Sequence, residues 1–203
     1  SEPLVEWSDH FLTGLEDVDH QHQRLFDIVN ELDDLQTGDT SPKDLINVYA
    51  KLKNYTLYHF SHEEALLDTW PVNEASKQVH IQAHQEFIER ISRIDKLIEH
   101  YPVHIVDHLL AFLVKWLLDH IAKIDTKMAQ EIEALQSGKK FSLSRDETLS
   151  LEERQKENLT DLYDDIGIRS LDILELNLQL QNEIDLRKQA EDEAQLAALV
   201  FQN

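Results

Sequence analysis

Five histidines and two carboxylates stand at spacings that suit metal ligation. His59 and Glu63 are four residues apart, and so are His80 and His84. Each pair shares one face if its segment is helical. His22 stands in an earlier stretch, and His120 is followed five residues on by Asp125. At about 100° per residue, that spacing sets Asp125 about 140° around a regular helix from His120. Either the helix widens locally between them, or Asp125 reaches in from the side. Imidazole suits iron, copper, zinc or nickel, and carboxylates can bridge two ions. Seven ligands exceed what one zinc takes, and magnesium and calcium prefer oxygen. A dinuclear centre fits better. Five nitrogens and four carboxylate oxygens, with a shared oxo or hydroxo bridge counted twice, leave one of twelve positions open on two six-coordinate ions. An open position on a buried redox metal is where a small ligand such as O2 binds. His10, His20, His62, His100, His104 and His108 are expected to stand outside this set, although His104 and His108 form another i,i+4 pair.

The elements that must position these side chains follow from apolar spacing. A first helix is predicted from about Asp17 to Gln36, carrying Val18, Leu25, Ile28, Val29, Leu32 and Leu35. A second starts at Ser41-Pro42, a cap followed by proline in the first turn, and stops near Trp70-Pro71. A third runs from about Asn73 to His100, and a fourth from about Ile105 to Leu135. Short connections predict an all-α, up-down-up-down four-helix bundle, a fold that builds metal sites from facing helices.

Composition narrows the class. The chain has 203 residues, 40 acidic against 19 Lys+Arg, and a formal charge of −21. So acidic a chain is not expected to bind nucleic acid. It has no cysteine, which excludes disulfides, thiolate metal sites and cysteine nucleophiles. Four glycines and four prolines are too few for the turns of an all-β fold. No apolar run approaches the ~20 residues of a membrane span, and no basic-then-apolar leader opens the chain. No membrane insertion and a cytoplasmic location are the expectation.

All 11 histidines lie between His10 and His120, whereas residues 142–203 hold 15 acidic and six basic residues. Gly138 stands where a helix would stop. The expected division is a compact domain at 1–141 and a helical extension at 142–203. Within the extension, residues 146–200 read as one long helix. Leu159, Leu162, Ile166, Ile173, Leu176 and Leu180 follow a heptad, with Arg169 interrupting the seam and Ile184 four residues on, as in a stutter. Leu174 to Gln181 alternate apolar and polar as a strand would, but Leu, Glu, Gln and Asn favour helix over strand there. A coiled-coil-like homodimer through residues 146–200 is the expected use of that seam.

Four stretches resemble the hemerythrin family, and bacterial hemerythrin-like domains in particular. They are Asp19-His20-Gln21-His22-Gln23-Arg24-Leu25, His59-Phe60-Ser61-His62-Glu63-Glu64, His80-Ile81-Gln82-Ala83-His84, and Trp116-Leu117-Leu118-Asp119-His120-Ile121-Ala122-Lys123-Ile124-Asp125. Trp7 also resembles the family's opening. The likeness covers about residues 5–136. It implies a non-haem di-iron centre that binds O2 reversibly, with His80, His84 and His120 on one iron and His22 and His59 on the other. Glu63 and Asp125 would bridge the two irons, and the second iron would keep its sixth position open. In the family the bound ligand hydrogen-bonds to the bridging oxygen, so the pocket needs no polar residue. Leu25, Phe60, Trp116, Leu117, Ile121 and Ile124 resemble the family's apolar pocket. Trp116, His120 and Ile124 do fall at i, i+4, i+8, a spacing that suits ordinary core equally well.

The final stretch, Glu191 to Asn203, looks like the helical lead-in to PAS domains of bacterial signalling proteins. The expectation is therefore an oxygen or redox sensor at the front of a longer protein, with any enzymatic output beyond residue 203. O2 storage or delivery is the alternative, with NO binding or di-iron oxidase chemistry behind it. Ferritin-like oxidases use paired Glu-x-x-His motifs, and no matched pair stands here. The chain itself is not expected to be an enzyme.

Overall fold

The computed structural model describes residues 2–38, 40–139 and 151–200. They are helical wherever they are regular: α1 Glu16–Thr37, α2 Pro42–Thr69, α3 Glu74–Leu97, α4 Pro102–Asp119, a six-residue π-helical turn His120–Asp125, α5 Thr126–Ser137, and α6 Leu151–Val200. The all-α class and the helical extension are as expected. The expected boundary at 141/142, residues 146–150 of the expected long helix, and Phe201, Gln202 and Asn203 lie outside the described residues.

Local chemistry explains where the helices start and stop. Ser41 caps α2 by accepting from the Asp44 N–H at 3.3 Å, with Pro42 in the first turn. Asn73 caps α3 by accepting from the Ser76 N–H at 3.1 Å. Glu131, nearly buried on α5, accepts from the Asn73 N–H and ties that cap to the end of the bundle. Before α1, Asp19 gathers the preceding turn. Its Oδ1 accepts from the Thr13 N–H at 2.7 Å and its Oδ2 from the Gly14 N–H at 3.1 Å. Pro102 opens α4, three residues before the expected start at Ile105, at a position where proline's missing N–H costs nothing. Gly138 ends α5 in the left-handed conformation, φ +67°, as its position predicted.

Connections 38–41, 70–73 and 98–101 are short, so successive helices run antiparallel. α1 packs against α2 and α4, and α3 against α2 and α4. The core between them holds Leu25, Ile28 and Leu32 of α1, Leu52 of α2, Ile94 of α3 and Leu109 of α4. The expected fourth helix differs from a regular one: α4 and α5 are joined by the π-turn.

The chain forms two units, Ser1–Thr160 and Asp161–Asn203. In the second, Leu162, Ile166, Ile173, Leu176, Leu180 and Ile184 are each between 48% and 59% exposed. They form an uncovered apolar stripe along α6 in this single chain. No described helix is long and apolar enough to cross a membrane.

Candidate metal centre

The antiparallel order brings one end of each core helix together. His22 lies near the start of α1, His59 and Glu63 toward the end of α2, His80 and His84 near the start of α3, and His120 just after α4. All are buried, and so is Asp125. The π-turn resolves the awkward spacing of the last two. The Thr126 N–H bonds to the Ile121 carbonyl, five residues back, and the Thr126 hydroxyl donates to that same oxygen at 2.8 Å. Widening the turn by one residue swings Asp125 beneath His120, with Oδ1 at 3.0 Å from its Nε2. No glycine or proline stands in the turn. Its support is tertiary, because Asp125 also meets His22 at 3.1 Å and His80 at 3.2 Å.

Glu63 shares His22 and His80 with Asp125 and adds His59 and His84. Its Oε2 is 3.4 Å from His59, 3.3 Å from His80 and 3.2 Å from His84, and its Oε1 is 3.8 Å from His22. Two overlapping groups result: Glu63 with His80, His84 and His120, and Glu63 and Asp125 with His22 and His59. In each, one ligand atom per residue lies within 4.8 Å of all the others.

The protonation of this cluster follows from its burial. Burial, reinforced by neighbouring His22, pushes His59 down to about 3. Burial together with His120 and His80 takes His84 to about 2. Both rings are therefore neutral, with a lone pair to offer. Burial and the nearby Asp125 push Glu63 up to about 8. For His80, burial acts downward, but the carboxylates of Asp125 and Glu63 beside it outweigh it and carry the ring up to about 9. Asp125 resists burial and stays well below the usual carboxylate range, held by His120, His22 and His80.

Several buried polar atoms find no hydrogen bond inside the protein: both ring nitrogens of His22, Nδ1 of His120, Oε1 of Glu63 and both oxygens of Asp125. A folded protein does not leave such atoms unmet without reason. Two buried carboxylates, each close to imidazoles of both groups, and five imidazoles suit a pair of transition-metal ions.

Comparison with known proteins bears directly on this cluster. The family described as "Hemerythrin HHE cation binding domain" matches residues 13–132. The chain belongs to the hemerythrin family. Among its relatives are bacteriohemerythrin of Pseudomonas aeruginosa, 31% identical over 119 residues, which are 59% of this chain and 75% of that one. Bacteriohemerythrin of Clostridium acetobutylicum is 27% identical over 126 residues, 60% of this chain and 96% of that one. Myohemerythrin of Riftia pachyptila is 26% identical over 121 residues, 60% of this chain and 88% of that one. A hemerythrin domain implies a di-iron centre, and the donor set and orphaned atoms above fit one.

The residues expected to line the hemerythrin pocket fall in different places. Leu25, Phe60, Leu117 and Ile121 are buried. Phe60 stacks on the His84 ring at 3.8 Å, and half-buried Trp116 stacks on His120 at 4.2 Å. Ile124 is half-buried and lines a surface cleft of about 330 Å³ with Val72, Val79 and His80. His104, His108 and the other remaining histidines join neither metal-capable group among the described residues.

Three features escaped sequence reasoning. Gln21 accepts from the His59 Nδ1–H at 2.8 Å, and Glu64 from the His84 Nδ1–H at 3.0 Å. Both residues stood in the hemerythrin-like stretches without an assigned role. Trp7 was noted, but its packing was not. Its ring lies 5.2 Å from Phe26 and 6.4 Å from His22, and reciprocal hydrogen bonds between Val5 and the Asn30 side chain pin its segment down.

Proposed function

We propose that this chain binds O2 reversibly at a pair of non-haem irons held by His22, His59, Glu63, His80, His84, His120 and Asp125, and that it serves as the sensing part of a larger signalling protein. The observation that carries the first half is that Glu63 and Asp125 each touch imidazoles of both groups while buried. Two ferrous ions, when bound, supply the electrons on which reversible O2 binding draws.

The chain's own residues do the rest. His59 and His84 are kept neutral by burial and present nitrogen lone pairs without a proton to displace. Asp125 is ionised and holds His120, His80 and His22 to one point. The apolar walls of Leu25, Phe60, Leu117 and Ile121 keep water and proton donors away, which favours release of the bound ligand over its protonation. Five imidazoles against two carboxylates also favour binding over turnover, because carboxylate-rich sites better support highly oxidised iron. NO can occupy the same open position.

The second half rests on α6. A domain that merely stored O2 would need no long helix with an uncovered apolar stripe. Pairing of α6 with a second copy would cover Leu162, Ile166, Ile173, Leu176, Leu180 and Ile184. It would also carry a change in the bundle to an output, such as a PAS module, beyond the chain. A cytoplasmic site of action belongs to the same reading.

Cycling tests binding. Anaerobically reduced protein should gain visible absorption on admission of O2 and lose it when O2 is removed. An irreversible change in the first exposure, or none, overturns reversible binding. Comparing self-association and α6 dynamics in the reduced, O2-exposed and oxidised forms tests the sensor. No difference among the three leaves storage or delivery as the function.

A further inference from the structure

The two metal positions differ in what stands behind their imidazoles. His59, of the group containing His22, donates its Nδ1–H to the amide oxygen of Gln21 at 2.8 Å. His84, of the other group, donates its Nδ1–H to a carboxylate oxygen of Glu64 at 3.0 Å. An amide oxygen or a carboxylate oxygen can only accept, so each ring carries its proton on Nδ1 and turns the bare Nε2 inward, toward Glu63. The acceptors have nearly the same reach but unlike charge, and their surroundings explain why. Gln21 is 6% exposed between helices, where an unpaired carboxylate would be costly. The Glu64 side chain is 41% exposed, so its charge stays hydrated. The rings of His22 and His120 have no acceptor at Nδ1.

We infer that Gln21 and Glu64 are positioning residues that make the two irons electronically unequal. This rests on the di-iron reading above. An imidazole that donates to a carboxylate is more basic, and a stronger donor to its metal, than one that donates to an amide. The iron of His80, His84 and His120 is therefore the electron-rich one, binds first and favours the ferric state. The iron of His22 and His59 binds second, and its neutral support keeps it easier to hold ferrous, which suits the position left open for a ligand.

The test uses the whole chain, anaerobic titration with ferrous iron and the midpoint potential of the loaded protein. Gln21→Leu should weaken the second equivalent about 10–100-fold and leave the first unchanged. Gln21→Glu should lower the potential, and Glu64→Gln should raise it. These two swaps exchange an amide and a carboxylate of the same shape, so a merely structural role would not give opposite signs. Glu64→Gln buries no new charge and so keeps the test open if Gln21→Glu folds poorly. Shifts of the same sign, no shift, or an unchanged second equivalent in Gln21→Leu overturn the inference while the wild type still takes up two irons. A wild type that takes up fewer than two overturns this inference together with the di-iron reading.

Discussion

Asp125 shows how one side chain can serve three helices. Its two oxygens meet His120 from its own segment, His80 from α3 and His22 from α1. Asp125→Asn removes the charge and one of the two acceptors. Iron retained per chain should fall from two to one or fewer, with helix content by circular dichroism unchanged; two retained irons would deny Asp125 a bridging role. Protonation gives a second prediction, for the metal-free protein. His59 and His84 refuse protons that the unfolded chain accepts below about 6.5, so stability falls as pH drops below that value. Glu63 and His80 act in the opposite sense. The fold keeps their protons up to about 8 and about 9, whereas the unfolded chain releases them near 4.5 and 6.5, so stability falls as pH rises. Between 4.5 and 6.5 the two histidines outweigh the one glutamate. The melting temperature of metal-free protein should peak near pH 6.5, and a steady rise through pH 9 would contradict the assignment. Four of the seven candidate ligands, His59, Glu63, His80 and His84, could be singled out in the sequence because i,i+4 spacing is a local property. Gln21 and Glu64 could not, because their partners lie across helix interfaces, 38 and 20 residues away.

At the scale of elements, the π-turn is what makes the ligand set converge. The Thr126 hydroxyl supports it through the Ile121 carbonyl. Thr126→Val keeps the shape of the side chain and removes that bond. It should cost about 1 kcal/mol of stability and weaken iron binding by the same displacement of Asp125, measured by thermal melting and ferrous titration. Unchanged values for both would mean that Asp125's own contacts suffice to hold the turn. The start of α2 was legible from Ser41-Pro42 and the stop of α5 from Gly138, since caps act within a few residues. The π-turn was legible only as a conflict between two ligands and the regular helical period. Nothing in His120-Ile121-Ala122-Lys123-Ile124-Asp125 breaks a helix by itself. The choice is made by buried imidazoles on other helices, which local propensity does not contain. Pro102 acts locally in both directions: a proline that bars continuation of one helix is equally suited to begin the next.

The whole molecule joins a domain with a buried polar end to a helix with an exposed apolar stripe. If α6 pairs with a second copy, Ile173→Asp together with Leu176→Asp should turn a dimer into a monomer in sedimentation, with iron content unaffected. A wild-type chain that is monomeric at high concentration would remove that route for signal transfer. The heptad and its interruption at Arg169 could be read directly from the sequence, because a seam is a repeated local pattern. What covers the seam could not, because that depends on a second molecule. The central claim remains that two irons are held and bridged between Glu63 and Asp125. Anaerobic loading with ferrous iron, followed by oxidation and magnetic measurement, tests it most directly. Two irons per chain whose spins are coupled into a non-magnetic pair are the predicted result. A single iron, or two that remain magnetically independent, would contradict it.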